Sequence, residues 1–178
     1  MSVVHPVPAD RAPKEVQPIY QDFSQKFGKM PNFFALMAHR PKVLASFLPL
    51  YGAITAEGTV DPKLKELAYL KTSMVNGCEY CSRAHMASGK RVGVTPEQIA
   101  DLQFYHRSPR FSDQEKTVIL YADRVTRGSS AISEHDLAEL RRFLSEDQIV
   151  ELTLVICVAN FTNRLNNALE AIPDLGDV

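Results

Sequence analysis

Apolar residues recur at helical spacing in one segment of this chain after another, and no stretch of more than a few residues alternates as a β-strand does. Residues that commonly begin helices stand in front of these periodic segments, namely Asp61, Thr95, Ser112, Ser133 and Ser145. The connections between the segments are short, which lets consecutive helices pack as antiparallel neighbours. The sequence therefore predicts an all-α fold, a helical bundle without a sheet.

The length of 178 residues and the hydrophobic content of 45% are sufficient for one domain with a sizeable core. Pro6, Pro8 and Pro13 all precede the first periodic segment. Because this proline-rich stretch lacks helical periodicity, we predict an extended N-terminal arm over residues 1–13 and a single all-helical domain over residues 14–178.

The charges of the chain nearly cancel, with 20 Lys and Arg against 21 Asp and Glu. This balance argues against a broad nucleic-acid-binding surface. The longest apolar run, residues 152–161, is far shorter than the roughly 18 residues that a membrane span needs. The beginning of the chain also lacks the apolar core of a signal peptide. We therefore expect a cytoplasmic protein that binds neither nucleic acid nor membrane.

Two of the three cysteines, Cys78 and Cys81, are close in sequence, and a cytosolic chain more often uses such a pair for redox chemistry or metal binding than as a structural disulfide. On a helix, both sulfurs and the His85 imidazole fall within a stripe about 60° wide. Two cysteines at this spacing in a first helical turn can form a disulfide after modest adjustment. We expect mild oxidation to join them and to leave Cys157, which we expect to be a buried core thiol, free.

Asn76-Gly77 ends the helical segment that precedes the cysteine pair. If one of these two residues caps the next helix, Cys78 and Cys81 both lie in its first turn. Free backbone N–H groups and the positive end of the helix dipole lower the pKa of a thiol there, and the thiolate is the nucleophile.

Glu66 precedes the first cysteine of the pair by twelve residues, which on one continuous helix corresponds to about 18 Å. A chain reversal at Asn76-Gly77 would instead bring Glu66 roughly level with His85 in an antiparallel helix pair. A carboxylate in that place would orient the imidazole and favour its charged form. The charged ring would in turn stabilise a Cys81 thiolate or shuttle its proton.

These residues also have simpler interpretations. The two cysteines can be packed thiols, or they can bind zinc together with His85 and a fourth ligand. Glu66 has three lysines close to it in sequence and can be a solvated surface charge. A c-type haem site is excluded, because Ser82 rather than a histidine follows the second cysteine.

Four positions at successive offsets of 12, 3 and 4 carry a resemblance to a known family, and they are Glu66, Cys78, Cys81 and His85. Their spacing resembles the signature of the alkylhydroperoxidase AhpD-like family, within the carboxymuconolactone decarboxylase-like superfamily. The run KELAYLKTSMVNGCEYCSRAHMASGKRVGVT is similar to this family throughout. The upstream run FGKMPNFFALMAHRPKVLASF resembles the corresponding region of its peroxidase-related members.

The resemblance implies an all-helical fold that assembles into dimers, trimers or hexamers, and it implies a thiol-dependent peroxidase. In this interpretation Cys81 attacks the hydroperoxide and becomes a sulfenic acid, and Cys78 resolves that acid as a disulfide. Glu66 and His85 relay the proton. The implied partners are a hydroperoxide substrate and a dithiol or protein reductant, and we expect neither a cofactor nor a metal.

Tyr80 departs from the family pattern, in which a second histidine lies between the cysteines. A phenol can hold a hydrogen bond but is a poor base near pH 7, so Tyr80 is a candidate auxiliary residue. Decarboxylases proper in this superfamily lack the cysteine pair, which argues against lactone decarboxylation. Besides a peroxidase, the open alternatives are a non-enzymatic redox sensor or disulfide-switched interaction protein, and another small-molecule activity of the superfamily.

Overall fold

The computed structural model describes residues 3–174, and within this range the chain is built from helices without a β-strand. The α-helices are α1 (Gln17–Phe27), α2 (Asn32–Met37), α3 (Pro41–Thr55), α4 (Pro62–Val75), α5 (Glu79–Arg91), α6 (Pro96–Asp101), α7 (Asp113–Gly128), α8 (Glu134–Arg141) and α9 (Glu146–Ala168). Short 3₁₀ turns lie at Ala9–Arg11, Lys14–Val16, Leu102–Phe104 and Ser129–Ala131. The prediction of a single all-α domain is confirmed.

The helices begin where the sequence places capping residues. The Asp61 side chain accepts a hydrogen bond from the backbone N–H of Lys63, and a proline occupies the first helical position after it. Thr95, Ser112 and Ser133 each form a reciprocal capping box with the side chain three residues later. These local interactions satisfy N–H groups that lack a partner within the helix, and they fix where α4, α6, α7 and α8 start.

Helix α4 lies at the centre of the molecule and packs against α5, α7 and α9. Leu64 and Ala68 contribute to an apolar cluster shared with α7 and α9, whereas Leu67 and Leu70 belong to a second cluster with α7 and the segment around α6. Tyr69 belongs to a third cluster, which also contains the cysteine pair. Since α4 is buried on several sides at once, its side chains have fixed positions relative to the helices around them.

The chain reverses between α4 and α5. Gly77 has a positive φ of 62°, a conformation that suits glycine, and the backbone N–H of Cys78 donates back to the carbonyl oxygen of Ser73 at 2.9 Å. The side-chain amide of Asn76 donates to Asn160 and Asn163 of α9, at 3.0 Å each. The predicted reversal is therefore present, and α9 holds it in place.

The N-terminal segment lies against the helical body. The backbone N–H of Val7 donates to the carbonyl oxygen of Ala35 in α2 at 3.1 Å, and the Tyr20 hydroxyl donates to the carbonyl of Val7 at 2.7 Å. The N–H of Val3 reaches the carbonyl of Leu169 beyond α9 at 3.2 Å. Residues 1 and 2 of the predicted arm lie outside the described residues, and the domain boundary at residue 13 stays a prediction.

Helix α9 exposes one apolar side. Val150, Leu154 and Phe161 are about half exposed, and Cys157 lies on the same side and is exposed. The prediction that Cys157 is a buried core thiol is wrong, because only one face of this apolar helix packs on α4. Assembly into oligomers, which such a surface could serve, stays a prediction. Within residues 3–174, none of the helices has both the length and the apolar character needed to cross a bilayer.

The turn between α4 and α5 allows a matched test of backbone strain. We expect Gly77→Ala to lower the free energy of unfolding by about 1 kcal/mol, because alanine is strained at positive φ although no atom crowds the position. Gly52→Ala, in the exposed last turn of α3 and equally uncrowded, should leave stability unchanged or raise it. Urea denaturation of the two variants measures both effects, and equal effects would contradict the assignment of strain to Gly77.

Candidate active site

The cysteine pair lies at the start of α5. Cys78 is itself the N-cap residue of this helix, rather than Asn76 or Gly77, and its sulfur accepts a hydrogen bond from the backbone N–H of Cys81 at 3.3 Å. The Sγ atoms of Cys78 and Cys81 are 2.7 Å apart, and both residues are buried. Both sulfurs therefore meet in the first turn, where the free N–H groups of the helix favour a negative charge.

The two thiols have opposite pKa shifts. The hydrogen bond from the Cys78 thiol lowers the pKa of Cys81 below the ordinary value of a cysteine, and this effect outweighs burial, which opposes ionisation. The amides of Asn166 and Asn163 and the charge of His85 act in the same direction. The pKa of Cys78 is raised, first by the hydrogen bond that it donates and then by burial. Cys81 is therefore the thiol of this pair that ionises more readily.

Glu66 and His85 come together across the reversal. The Oε2 atom of Glu66, on α4, lies 2.8 Å from Nδ1 of His85, on α5. Since a carboxylate can only accept, Nδ1 carries the proton of this hydrogen bond, which fixes the orientation of the ring. The lysines near Glu66 in sequence pair with other carboxylates, so the imidazole is the partner of Glu66.

The aromatic ring of Tyr69 packs on one face of the His85 imidazole. Tyr69 stacks on His85 with ring centroids 3.4 Å apart and an interplanar angle of 14°. The Tyr69 hydroxyl in turn lies 2.6 Å from Oγ1 of Thr162 on α9. The ring of His85 is thus held by a carboxylate at one edge and by a fixed phenol ring on one face.

Helix α9 contributes amides that the sequence analysis missed. The Asn166 side chain donates through Nδ2 to the sulfur of Cys81 at 3.2 Å, and Asn163 donates to the hydroxyl of Ser73 at 3.2 Å. Both asparagines are buried. The signal that could have found them is the recurrence of asparagine on one side of an otherwise apolar helix, since buried amides need partners.

A small cavity of about 60 Å³ opens beside Cys81 and His85. Five aromatic rings form much of its wall, those of Phe33, Phe34, Tyr51, Tyr69 and Tyr80, and Ala84, Thr162 and Asn166 also line it. Burial raises the pKa of Tyr51 to about 12 and raises that of Tyr69 well above its ordinary value, so both phenols stay protonated at neutral pH. The cavity therefore offers an apolar space in which the polar atoms belong to a few side chains.

Tyr80 connects the site to the C-terminal segment. Its hydroxyl donates to Oδ1 of Asp174 at 2.8 Å and accepts from the backbone N–H of Phe33 at 3.2 Å. The other oxygen of Asp174 accepts from the N–H of Asn32 at 3.0 Å. Burial raises the pKa of Tyr80, so its phenol is not a base near neutral pH. Its contacts make it a link between α5, α2 and Asp174.

The zinc alternative finds little support in the arrangement of donors. Within the described part of the chain, no group of three or more His, Cys, Asp or Glu side chains is arranged to hold a metal ion. The four residues singled out in the sequence thus meet in one place, as a thiol pair and an adjoining carboxylate–imidazole pair.

The thiol pair gives a direct prediction. Removing the S–H donor with Cys78→Ala should raise the pKa of Cys81 by about one to two pH units, the value of one hydrogen bond to an ionised acceptor. Alkylation of Cys81 by iodoacetamide, followed by peptide mass spectrometry across pH, should slow at neutral pH and recover at high pH.

Two variants control this measurement. Cys78→Ser keeps a hydrogen-bond donor and should shift the pH profile of Cys81 alkylation less than Cys78→Ala does. Cys157→Ser, on the exposed side of α9, should leave that profile unchanged. If the pH profile of Cys81 alkylation is the same in Cys78→Ala as in the parent protein, the Cys78 thiol has no part in the ionisation of Cys81.

Comparison with known proteins gives a consistent family. The model of the carboxymuconolactone decarboxylase family matches residues 41–124, which include all four site residues. A peroxidase-related protein of uncharacterised function from Silicibacter sp. TM1040 is 25% identical, with a TM-score of 0.86 over 97% of this chain and 92% of its own.

Two further solved structures share the fold. A peroxidase-related protein from Ralstonia eutropha JMP134, described as an alkylhydroperoxidase AhpD core, is 21% identical with a TM-score of 0.87 over 99% of this chain and 97% of its own. A debrominase in complex with 2,3,4-tribromopyrrole is 22% identical with a TM-score of 0.82 over 98% and 92%. The chain therefore belongs to the carboxymuconolactone decarboxylase family and has the fold of its AhpD-like members.

Proposed function

We propose that this protein is a thiol-dependent peroxidase, in which Cys81 attacks a hydroperoxide and Cys78 resolves the product. The observation that carries the proposal is the thiol pair, with sulfurs 2.7 Å apart and the more acidic one beside a cavity. A thiolate that can react and a second thiol within reach of it are the two groups that a two-electron reduction of a peroxide requires.

In the first step, the Cys81 thiolate attacks the terminal oxygen of a hydroperoxide, R–O–OH. A sulfur–oxygen bond forms, the oxygen–oxygen bond breaks, and the product on Cys81 is a sulfenic acid. The leaving alkoxide takes a proton and departs as an alcohol. His85 lines the same cavity and its orientation is fixed by Glu66, so this imidazole is the group that supplies the proton.

In the second step, the Cys78 sulfur attacks the sulfur of the sulfenic acid. A disulfide forms, and the hydroxyl group leaves with the Cys78 proton as water. An external dithiol then reduces the disulfide, becomes oxidised itself, and restores both thiols. Burial of the pair keeps bulk water away from the sulfenic acid, while the nearby thiol captures it first.

The raised pKa of Tyr80 bears on the departure from the family pattern. Its phenol stays protonated and is engaged with Asp174, so it is not a second base in the place of a histidine. Proton transfer in this proposal therefore depends on Glu66 and His85 alone. Tyr80 acts by position, since it forms part of the cavity wall.

The turnover of peroxide tests the proposal. With dithiothreitol as reductant, the protein should consume hydroperoxide repeatedly, and Cys81→Ser should fall to the rate of the dithiol alone. Cys78→Ser should be oxidised once at Cys81 and should then turn over slowly, because the resolving thiol is missing. Cys157→Ser is the matched control and should keep full activity. Peptide mapping should show a Cys78–Cys81 disulfide after one equivalent of peroxide.

Two other functions are outcomes of the same assay. A redox sensor would be oxidised by one equivalent of hydroperoxide and would show no sustained turnover with any dithiol.

The aromatic cavity and the likeness in fold to a debrominase favour a second candidate, the reductive removal of bromine from a small aromatic ring. In that reaction the dithiol pair supplies two electrons and becomes a disulfide, while the ring gains a proton and loses bromide. Release of bromide from 2,3,4-tribromopyrrole without consumption of hydroperoxide would replace the peroxidase proposal.

The carboxylate–imidazole pair makes a separate prediction. Glu66→Gln and His85→Ala should each slow the oxidation of Cys81 by hydroperoxide at neutral pH by about tenfold, the equivalent of one pKa unit. The double variant should lose less than the sum of the two, because the residues act as one unit. Stopped-flow measurement of single-turnover oxidation across pH gives all three values. If Glu66→Gln follows the pH profile of the parent protein, the relay is contradicted.

A further inference from the structure

Asn166 has a polar atom without a partner in a place where such an atom is costly. The residue is 3% exposed, and no group of residues 3–174 donates a hydrogen bond to its Oδ1 atom. Buried amide oxygens are nearly always hydrogen-bonded in folded proteins. An unsatisfied one beside a reactive thiol indicates a partner that does not belong to the chain.

The orientation of the amide is fixed by the thiol. Nδ2 donates to the sulfur of Cys81 at 3.2 Å, and a thiolate can only accept, so the reverse orientation would place an oxygen against a negative sulfur. With Nδ2 committed to Cys81, the carbonyl oxygen is the remaining polar atom of the side chain. Asn166 also lines the aromatic cavity.

Two phenol hydroxyls of the cavity wall already have partners. The Tyr69 hydroxyl pairs with Thr162, and the Tyr80 hydroxyl donates to Asp174. A molecule in this space therefore lies beside aromatic rings, the imidazole of His85, the sulfur of Cys81 and the side chain of Asn166, whose Oδ1 has no partner among residues 3–174. The acceptor and the sulfur lie side by side, since one amide group contacts the thiol and carries the oxygen.

We infer that Asn166 is a substrate-binding residue whose Oδ1 accepts a hydrogen bond from the O–H group of the hydroperoxide. The inference rests on the proposed peroxidase function and specifies which atom of the chain selects and aligns the substrate. The substrate must carry a hydrogen-bond donor on the atom that Cys81 attacks, and this holds for the terminal oxygen of R–O–OH.

This contact aligns the bonds that change. Oδ1 holds the terminal O–H while the Cys81 sulfur forms its bond to the same oxygen, and the leaving alkoxide departs on the opposite side and is protonated there. The O–H proton stays on the sulfenic acid, so Asn166 neither gains nor loses a proton. Its two polar atoms thus have separate tasks, one toward the thiolate and one toward the substrate.

The test separates the two tasks by comparing two electrophiles. In a Cys157→Ser background, single-turnover modification of Cys81 is measured with tert-butyl hydroperoxide, which carries a donor, and with methyl methanethiosulfonate, which carries none. Each protein is assayed at a pH above the midpoint of its own pH profile of Cys81 alkylation, so that Cys81 is ionised in every variant. The measured quantity is the ratio of the two rate constants.

Asn166→Leu removes both polar atoms at nearly constant volume. We expect it to lower the ratio about tenfold, the rate equivalent of one hydrogen bond, while its melting temperature does not fall below that of the parent. Asn166→Asp keeps an oxygen acceptor and loses the N–H donor, so it should raise the pKa of Cys81 but preserve the ratio. Asn166→Ala replaces Asn166→Leu if leucine cannot be accommodated.

An unchanged ratio in Asn166→Leu or Asn166→Ala, with the parent protein oxidised normally, would overturn this inference alone. A parent protein whose Cys81 reacts with the thiosulfonate and not with the hydroperoxide would overturn the peroxidase proposal and this inference with it. A ratio that falls equally in Asn166→Asp would assign the effect to the N–H donor, and it would likewise overturn the role given to Oδ1.

Discussion

The side-chain amide of Asn76 holds the turn between α4 and α5 on two asparagines of α9, and the candidate site depends on this contact. The turn sets the register of α4 against α5, and the register decides that Glu66 meets His85. The same turn ends at Cys78, which is the N-cap residue of α5 and caps the helix with its sulfur. A shift of one residue in this reversal would rotate the imidazole away from the carboxylate, because successive helical positions differ by about 100°.

The site places a negative charge where burial opposes it. The pKa of Cys81 is lowered although the residue is buried, and the groups that outweigh burial are mostly neutral donors: the thiol of Cys78 and the amides of Asn163 and Asn166. Neutral dipoles that are fixed by packing stabilise a thiolate without a permanent opposite charge in direct contact with it. The stacked and hydrogen-bonded imidazole of His85 adds its charge from beside the pair.

The cavity brings together parts of the chain that are far apart in sequence. Phe33 comes from α2, Tyr51 from α3, Tyr69 from α4 and Asn166 from α9. The C-terminal segment joins them through Asp174, whose carboxylate accepts from Tyr80 and from the start of α2. Asp174 therefore helps to hold Tyr80, a residue of the cavity wall, in place, and the shape of the substrate space depends on how these segments pack.

The sequence by itself determined the helical class, most helix starts and the meeting of Glu66, Cys78, Cys81 and His85, because caps, helical periodicity and a glycine turn are local features. It did not determine which apolar residues are buried, as the exposed Cys157 shows, since one helix can be apolar on the side that faces solvent. It also did not reveal Asn166 or the aromatic wall. The contact of Asn166 with Cys81 joins residues 85 positions apart, and the cavity wall draws on residues from 33 to 166, so only the packing of α9 and α2 against α4 and α5 decides them.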